Sequence, residues 1–146
     1  MRASWFCIGV ISIASSGAAP STVPVIAHDY AFAAPDTVAA GLTSFSLENR
    51  GTRQHEMLIG LLRPGVNASQ IIAAAQRGTN FRLLPEVYLD GAMHGGLFAW
   101  PGSTSPAHLT LSLIRGRSYV LLCTFRDSTT GPQHAALGMF HLIQVR

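Results

Sequence analysis

The chain has 146 residues, which is the length of a single domain with a sizeable core. Hydrophobic residues make up 48% of the sequence and charged residues 12%, and this composition excludes an intrinsically disordered protein. The ten basic residues are all arginines, but they are scattered along the chain and offset by seven acidic residues. We therefore expect no nucleic-acid-binding surface.

Residues 1–18 have the pattern of a secretory signal peptide. Arg2 precedes an apolar run that ends at Ala14, and small residues follow up to Ala18. The run is shorter than the roughly 20 residues that a membrane-spanning helix needs, and no other apolar stretch reaches that length. We therefore expect cleavage near residue 18, a periplasmic or secreted protein, and no membrane span in the mature chain.

Cleavage would leave Cys123 as the one cysteine, because Cys7 lies within the signal peptide. An unpaired thiol in an oxidising compartment is unusual, so it is buried and inert, paired between chains or bound to a metal. If residues 118–125 alternate as a strand, Cys123 lies on the same face as Tyr119 and Leu121. Its thiol then points into an apolar core.

After a short leader over 19–24, the apolar patterns predict a single domain over 25–146 that consists of short strands. The strands are predicted over 25–32, 37–40, 43–49, 55–62, 97–100, 107–113, 118–125 and from about 139 to 145. The segment 55–62 is almost wholly apolar, which is typical of a strand buried on both faces. We expect the strand over 107–113 to form a hairpin with the strand over 118–125.

One helix is predicted, over 68–77. Asn67 is its expected N-cap, Gln70 stands at the third helical position, and Gly78 is the expected stop. The following sequence, up to residue 106, is rich in Gly and Pro and predicts a long excursion. Seven or eight short strands at this spacing, with one short helix and no internal repeat, predict an all-β sandwich.

A cysteine, a histidine and a methionine lie on one short arc between two strand-like segments. They are Cys123, His134 and Met139, and turn-forming residues separate the cysteine from the histidine. An antiparallel pair would bring them to one end of a sheet. Thiolate, imidazole and thioether together favour copper over hard cations, and a blue-copper site also needs a second imidazole. His55 opens a buried strand directly after a turn, so it can lie at a sheet end.

Three segments carry a resemblance to a known family: NRGTRQHE at 49–56, GRSYVLLC at 116–123 and PQHAALGM at 132–139. With these motifs the chain resembles the cupredoxin, or type 1 blue-copper, family, and in particular its small exported bacterial members. The similarity covers nearly all of 25–146. It implies a Greek-key β-sandwich with about seven or eight strands.

The resemblance implies that His55 is the first copper ligand, Cys123 the thiolate, His134 the second imidazole and Met139 the weak axial ligand. It also implies a carrier that passes single electrons between larger redox proteins and is not an enzyme. The chain departs from the family in one respect, because ten residues separate Cys123 from His134, and typical carriers have a tighter loop. Loop-closure entropy rises slowly with length, so the longer loop can still return His134 to the site.

The same residues allow other interpretations. His141 shares a face with Met139 and is a rival for the second imidazole. A copper chaperone or scavenger could use the same four residues or the pair Met93 and His94. In a metal-free interaction module the cysteine, histidine and methionine would be packing residues. Glu56 could be a hard ligand or a hydrogen-bond partner beside the site.

Overall fold

A computed structural model of the chain describes residues 19–77, 86–90 and 93–146. The predicted signal peptide and Gly78, the expected helix stop, lie outside these residues. The described part contains nine strands in chain order: β1 (Ser21–His28), β2 (Ala31–Ala33), β3 (Thr37–Val38), β4 (Gly41–Asn49), β5 (His55–Leu61), β6 (Gly95–Ala99), β7 (Leu109–Leu113), β8 (Ser118–Leu122) and β9 (Phe140–Val145). One α-helix, α1 (Ala68–Gln76), lies between β5 and β6, and a 3-10 turn (His134–Leu137) precedes β9.

The strands form two sheets, one of four strands in the order β2-β1-β4-β7 and one of five in the order β3-β9-β8-β5-β6. Apolar residues alternate along the strands, so the inner faces of the two sheets share one core. Phe45 and Leu47 of β4 and Met57 and Ile59 of β5 are fully buried in it. The prediction of an all-β sandwich with one short helix is therefore confirmed, and the additional strand is β2, which arises because the predicted strand over 25–32 is divided in two.

The outer face of the five-stranded sheet is covered by α1. Ile71 on the helix packs in a second apolar cluster with Leu58 of β5 and Val120 of β8. All seven residues of β5 are therefore buried, as its apolar sequence predicts. Asn67 caps the helix with a complete capping box formed with Gln70, and this helix prediction is also confirmed.

The first strand begins at Ser21, so the expected leader over 19–24 shrinks to two residues. Proline cannot donate a hydrogen bond within a sheet, so Pro24 is an unfavourable residue in a strand. β2 pairs only with residues 26–28, which leaves one edge of β1 open at Pro24. The other edge pairs in parallel with β4 from Ser21 onward. The proline is thus tolerated.

The predicted strand over 25–32 is interrupted by a tight turn at Asp29 and Tyr30. Tyr30 has φ +65°, and His28 pairs directly with Ala31 across the turn. Neither turn residue is glycine, and only glycine adopts this conformation without cost, so no turn was predicted here. The turn matters because it places Asp29 at one end of the sandwich.

The predicted hairpin between the strands over 107–113 and 118–125 is wrong. β7 pairs with β4 of the four-stranded sheet, whereas β8 pairs with β5 and β9 of the other sheet. The turn at Gly116, which has φ +74°, therefore carries the chain from one sheet to the other. Alternation identifies the buried face of a strand, but it does not identify the neighbouring strand.

Candidate metal centre

Cys123 is the first residue after β8, at the end of the sheet where β9 begins. Its backbone N–H donates to the carbonyl of Met139 (3.2 Å), and its carbonyl accepts from the N–H of Ala135 (2.8 Å). These two hydrogen bonds tie Cys123 to Met139 and to the 3-10 turn that carries His134. The predicted strand over 118–125 thus stops early, and the thiol lies at a strand end.

The ten-residue segment between Cys123 and His134 is closed by backbone hydrogen bonds. The N–H of His134 donates to the carbonyl of Phe125 (2.8 Å), and the N–H of Met139 donates to the carbonyl of His134 (2.9 Å). Both bonds fix His134 beside the end of β8. His134 is therefore held at the end of β8 even though the loop is long.

His55 opens β5 and is positioned by the turn that precedes it. The side chain of the buried Asn49 donates to the carbonyls of Arg53 (2.8 Å) and Ala99 (3.0 Å) and accepts from the N–H of Gly51 (2.8 Å). Asn49 thus ties the turn to the neighbouring strand. His55 consequently stands at the same end of the sandwich as Cys123.

The structure brings His55, Cys123 and His134 together. Cys123 Sγ lies 3.5 Å from Nδ1 of His134 and 4.0 Å from Nδ1 of His55, and the two Nδ1 atoms are 3.2 Å apart. Within the described residues, these three form a cluster whose donor atoms all lie within 4.8 Å of one another and could hold a metal ion. Met139 also lies close to His55.

All four side chains are shielded from solvent. Cys123, His55 and Met139 are 0% exposed, and His134 is 1% exposed. Burial raises the pKa of the Cys123 thiol to about 12, so the thiol is protonated at neutral pH without a metal. The backbone N–H of Glu56 points at its sulfur (3.5 Å) and favours the thiolate. Burial also lowers the pKa of His55, which keeps this imidazole neutral.

Each imidazole has an aspartate at its outer nitrogen. Nε2 of His55 lies 3.1 Å from Oδ1 of Asp29, which also accepts bonds from the backbone N–H groups of Thr52 (2.9 Å) and Arg53 (3.1 Å). The hydroxyl of Thr52 donates to the other oxygen (2.7 Å). This hydroxyl bond leads the effects that hold the pKa of Asp29 far below its usual range. Asp29 is therefore a fixed anion behind His55.

Asp127 has the same relation to the second imidazole. Nε2 of His134 lies 3.1 Å from Oδ1 of Asp127, and the hydroxyl of Tyr30 donates to Oδ2 (2.5 Å). The tyrosine bond is the main reason that the pKa of Asp127 is lowered. The ring of Tyr30 also meets the ring of His134 edge to face, with centroids 5.2 Å apart. Tyr30 and Asp127 thus cover His134 from outside.

These contacts indicate how the donor atoms would suit a metal ion. A neutral imidazole that donates Nε2–H to a carboxylate keeps its lone pair on Nδ1. Both Nδ1 atoms here face each other and the cysteine sulfur. A cation between these atoms would accept their lone pairs and remove the repulsion between them. Two imidazoles and a thiolate are a set of donors that suits copper. The residues present therefore fit a copper ion.

The alternative residues lie elsewhere or have other roles. His141 faces Asp36, with 3.3 Å between Nε2 and Oδ1, and His94 faces Asp90 at 3.3 Å. Neither histidine belongs to the cluster of donors found in the described residues. Glu56 accepts bonds from the N–H (3.1 Å) and the hydroxyl of Thr124, next to Cys123. The glutamate therefore braces the cysteine segment.

Asp29, Tyr30 and Asp127 were not identified from the sequence as parts of this site. Asp29 is 26 residues from His55, and it reaches the histidine because of the unexpected turn after β1. Asp127 lies among the turn residues of the long loop, where acidic residues are ordinary. The one available signal was that this aspartate falls between the cysteine and the histidine.

No protein-family model matches the sequence, and no curated protein matches it. Solved structures do match. An auracyanin from Roseiflexus castenholzii aligns with a TM-score of 0.56 and 20% identity, over 88% of this chain and 99% of that chain. Auracyanin A from Chloroflexus aurantiacus, a “blue” copper protein, gives 0.55 and 15% identity over 88% and 100% of the two chains. Reduced rusticyanin gives 0.51 and 20% identity over 88% and 82%.

The chain has the cupredoxin fold. This fold was predicted from the three sequence motifs, and it is confirmed by structures that share only 15–20% of their residues with the chain. The cupredoxin fold places the end of β8 and the start of β5 side by side, which explains how residues distant in sequence meet. Among the helices of the described residues, none is long and apolar enough to cross a membrane.

Proposed function

We propose that this protein is an exported electron carrier that holds one copper ion with His55, Cys123, His134 and Met139. The observation that carries the proposal is the convergence of two buried Nδ1 atoms on the buried sulfur of Cys123, with distances of 3.5 and 4.0 Å. The protein would exchange single electrons with partner redox proteins and would not be an enzyme. Export follows from the signal-peptide pattern over 1–18.

Copper bound here would supply a one-electron couple between its cupric and cuprous states. Side chains of this protein would bind the copper ion, and hydrogen bonds to neighbouring residues would hold those side chains in place. Asp29 and Asp127 hold the outer nitrogens of the two imidazoles, so both rings are fixed in orientation. The apolar core around Cys123 and Met139 excludes water from the sulfur donors. A site held in this way needs little rearrangement when an electron is gained or lost.

Visible absorption after addition of Cu(II) tests the proposal. We expect a strong blue or green band from thiolate-to-copper charge transfer, at one copper ion per chain, and its loss on reduction with dithionite. Protein that takes up copper and stays colourless would favour a copper chaperone or scavenger. Protein that takes up no copper would favour the metal-free interaction module.

Substitution of Met139 by leucine should keep the copper and raise the reduction potential. An axial thioether is a weak ligand that favours the cupric state slightly, and leucine retains its apolar volume. Redox titration of the coloured band measures the change. The matched control is His141→Ala on β9, which should leave the potential unchanged, because His141 faces Asp36 instead of the cluster. Complete loss of copper from the leucine variant would contradict a weak axial role.

A further inference from the structure

Two exposed aromatic side chains lie beside the candidate metal centre. Phe98 is 50% exposed and Trp100 is 61% exposed, and their rings pack edge to face with centroids 6.4 Å apart. Phe98 belongs to β6, the edge strand of its sheet, and Trp100 follows that strand. Ala99, between them, pairs with His55. The aromatic pair therefore lies one strand away from a proposed ligand.

An open cavity of about 510 Å³ lies next to Trp100. Its other lining residues include Arg53, Phe125, Arg126 and Asp127. Such a combination of aromatic and arginine side chains is typical of the residues that dominate protein–protein binding energy. An exposed tryptophan and a concave surface beside it are suited to receive an apolar side chain from another protein.

This cavity borders the hydrogen bonds that hold both imidazoles. Asp127, in its wall, bonds the outer nitrogen of His134. Thr52 and Arg53, also in its wall, donate their backbone N–H groups to Asp29, the carboxylate behind the other imidazole. The four proposed ligands are at most 1% exposed, so no partner can touch them directly. A redox partner must approach across residues that cover them, and the cavity offers such a place.

The residues that line the cavity carry a small positive formal charge of +1, because they include two arginines and the carboxylate of Asp127. Arg53 lies 3.8 Å from Asp127, which offsets part of its charge. The guanidinium of Arg126 donates to the carbonyl of Gly131, and no carboxylate pairs with it among the described residues. The chain from residue 19 onward has nine arginines and seven acidic residues, so its formal net charge of +2 has the same sign. The partner that complements this rim is therefore acidic.

We propose that an acidic one-electron carrier protein docks on this surface, which we name the aromatic–arginine surface (Arg53, Phe98, Trp100, Phe125 and Arg126). The partner inserts an apolar side chain beside Trp100 and places carboxylates against Arg53 and Arg126. One electron then passes between the two proteins, and no bond is formed or broken. This inference rests on the proposed electron-carrier function and names the partner's chemistry.

The test uses an acidic cytochrome c as the probe and the chain from residue 19 onward. In that chain Trp100 is the one tryptophan, because Trp5 lies in the signal peptide. Haem quenching of its fluorescence reports binding, with or without copper. Stopped-flow spectroscopy of the copper-loaded chain gives the second-order rate constant of electron transfer. We expect both affinity and rate to fall as salt rises.

Trp100→Ala and Arg126→Glu should each lower the electron-transfer rate constant by about tenfold or more, since both side chains belong to the contact. The fluorescence titration of Arg126→Glu should show a similar loss of affinity. Matched controls are Ile114→Ala and Arg115→Glu, because both residues are exposed in the turn before β8, at the opposite end of the strand. These controls should stay within about twofold of the parent.

Two outcomes separate this inference from the function on which it rests. If the chain is coloured with copper but the Trp100 and Arg126 variants transfer electrons as fast as the parent, the docking surface is wrong and the carrier function stands. If the chain takes up no copper, the carrier function fails. Unchanged Trp100 fluorescence in the metal-free chain would then overturn the docking surface as well. Melting temperatures of all variants check that each is folded, as expected for exposed positions.

Discussion

Substitution of Cys123 by serine should abolish the coloured copper species completely. The serine hydroxyl replaces the thiolate with a hard, neutral oxygen, so the charge-transfer band has no source. His55→Ala and His134→Ala should remove the band as well, because each deletes one of two imidazoles that face the sulfur. Absorption spectra at one equivalent of Cu(II) provide the measurement. His94→Ala is the matched control, since His94 pairs with Asp90 away from the cluster.

Thermal unfolding gives an independent readout of the same variants. A metal that binds only the folded state stabilises it by about 2.7 kcal/mol when the free metal is ~100 times its dissociation constant. Copper should therefore raise the melting temperature of the parent and of His94→Ala, but not that of the three ligand variants. A parent melting curve that copper leaves unchanged would identify Cys123 as a packed core residue and favour the interaction module.

Asp127→Asn and Asp29→Asn should each weaken Cu(II) binding by roughly 10- to 100-fold, the usual effect of losing a hydrogen-bond partner behind a metal ligand. Asparagine has nearly the size of aspartate, but it lacks the negative charge that strengthens an imidazole donor. The reduction potential should rise, because the cupric state depends more on strong donors than the cuprous state. Competition titrations with a chelator and redox titrations measure the two effects.

Asp36→Asn is the matched control for these two variants. Asp36 faces a histidine in the same way, with 3.3 Å between its Oδ1 and Nε2 of His141, but this pair lies outside the donor cluster. Copper affinity and potential should therefore stay at the parent values. If Asp127→Asn and Asp29→Asn also behave like the parent, the two aspartates contribute to covering the site without influencing the donors.

The proximity of His55, Cys123 and His134 could be predicted from the sequence, whereas their role as metal ligands stays a prediction. Cys123 directly follows the buried strand β8, and His55 starts the apolar strand β5 directly after a turn. Residues at the ends of neighbouring strands lie at the same end of a sheet, so their proximity follows from the strands alone. The same reasoning identified the core positions of β4 and the capped helix.

The aspartates and the sheet partners could not be predicted in this way. Asp29 reaches His55 because Tyr30 adopts a positive φ angle in a tight turn, a conformation that is uncommon for tyrosine. The assignment of β7 to the four-stranded sheet depends on pairing with β4, which no local pattern encodes. Contacts that depend on tertiary packing therefore had to come from the structure.

The cover over His134 has a consequence for the speed of metal exchange. Tyr30 and Asp127 lie outside this imidazole, and the backbone N–H of His134 donates to the carbonyl of Phe125, which closes the segment beneath them. Among the described residues Cys123 is 0% exposed, so we expect an ion to reach its sulfur when the loop over 124–133 detaches. We therefore expect the residence time of copper at the proposed site to depend on how often this loop opens, which is a local unfolding event, as well as on ligand affinity.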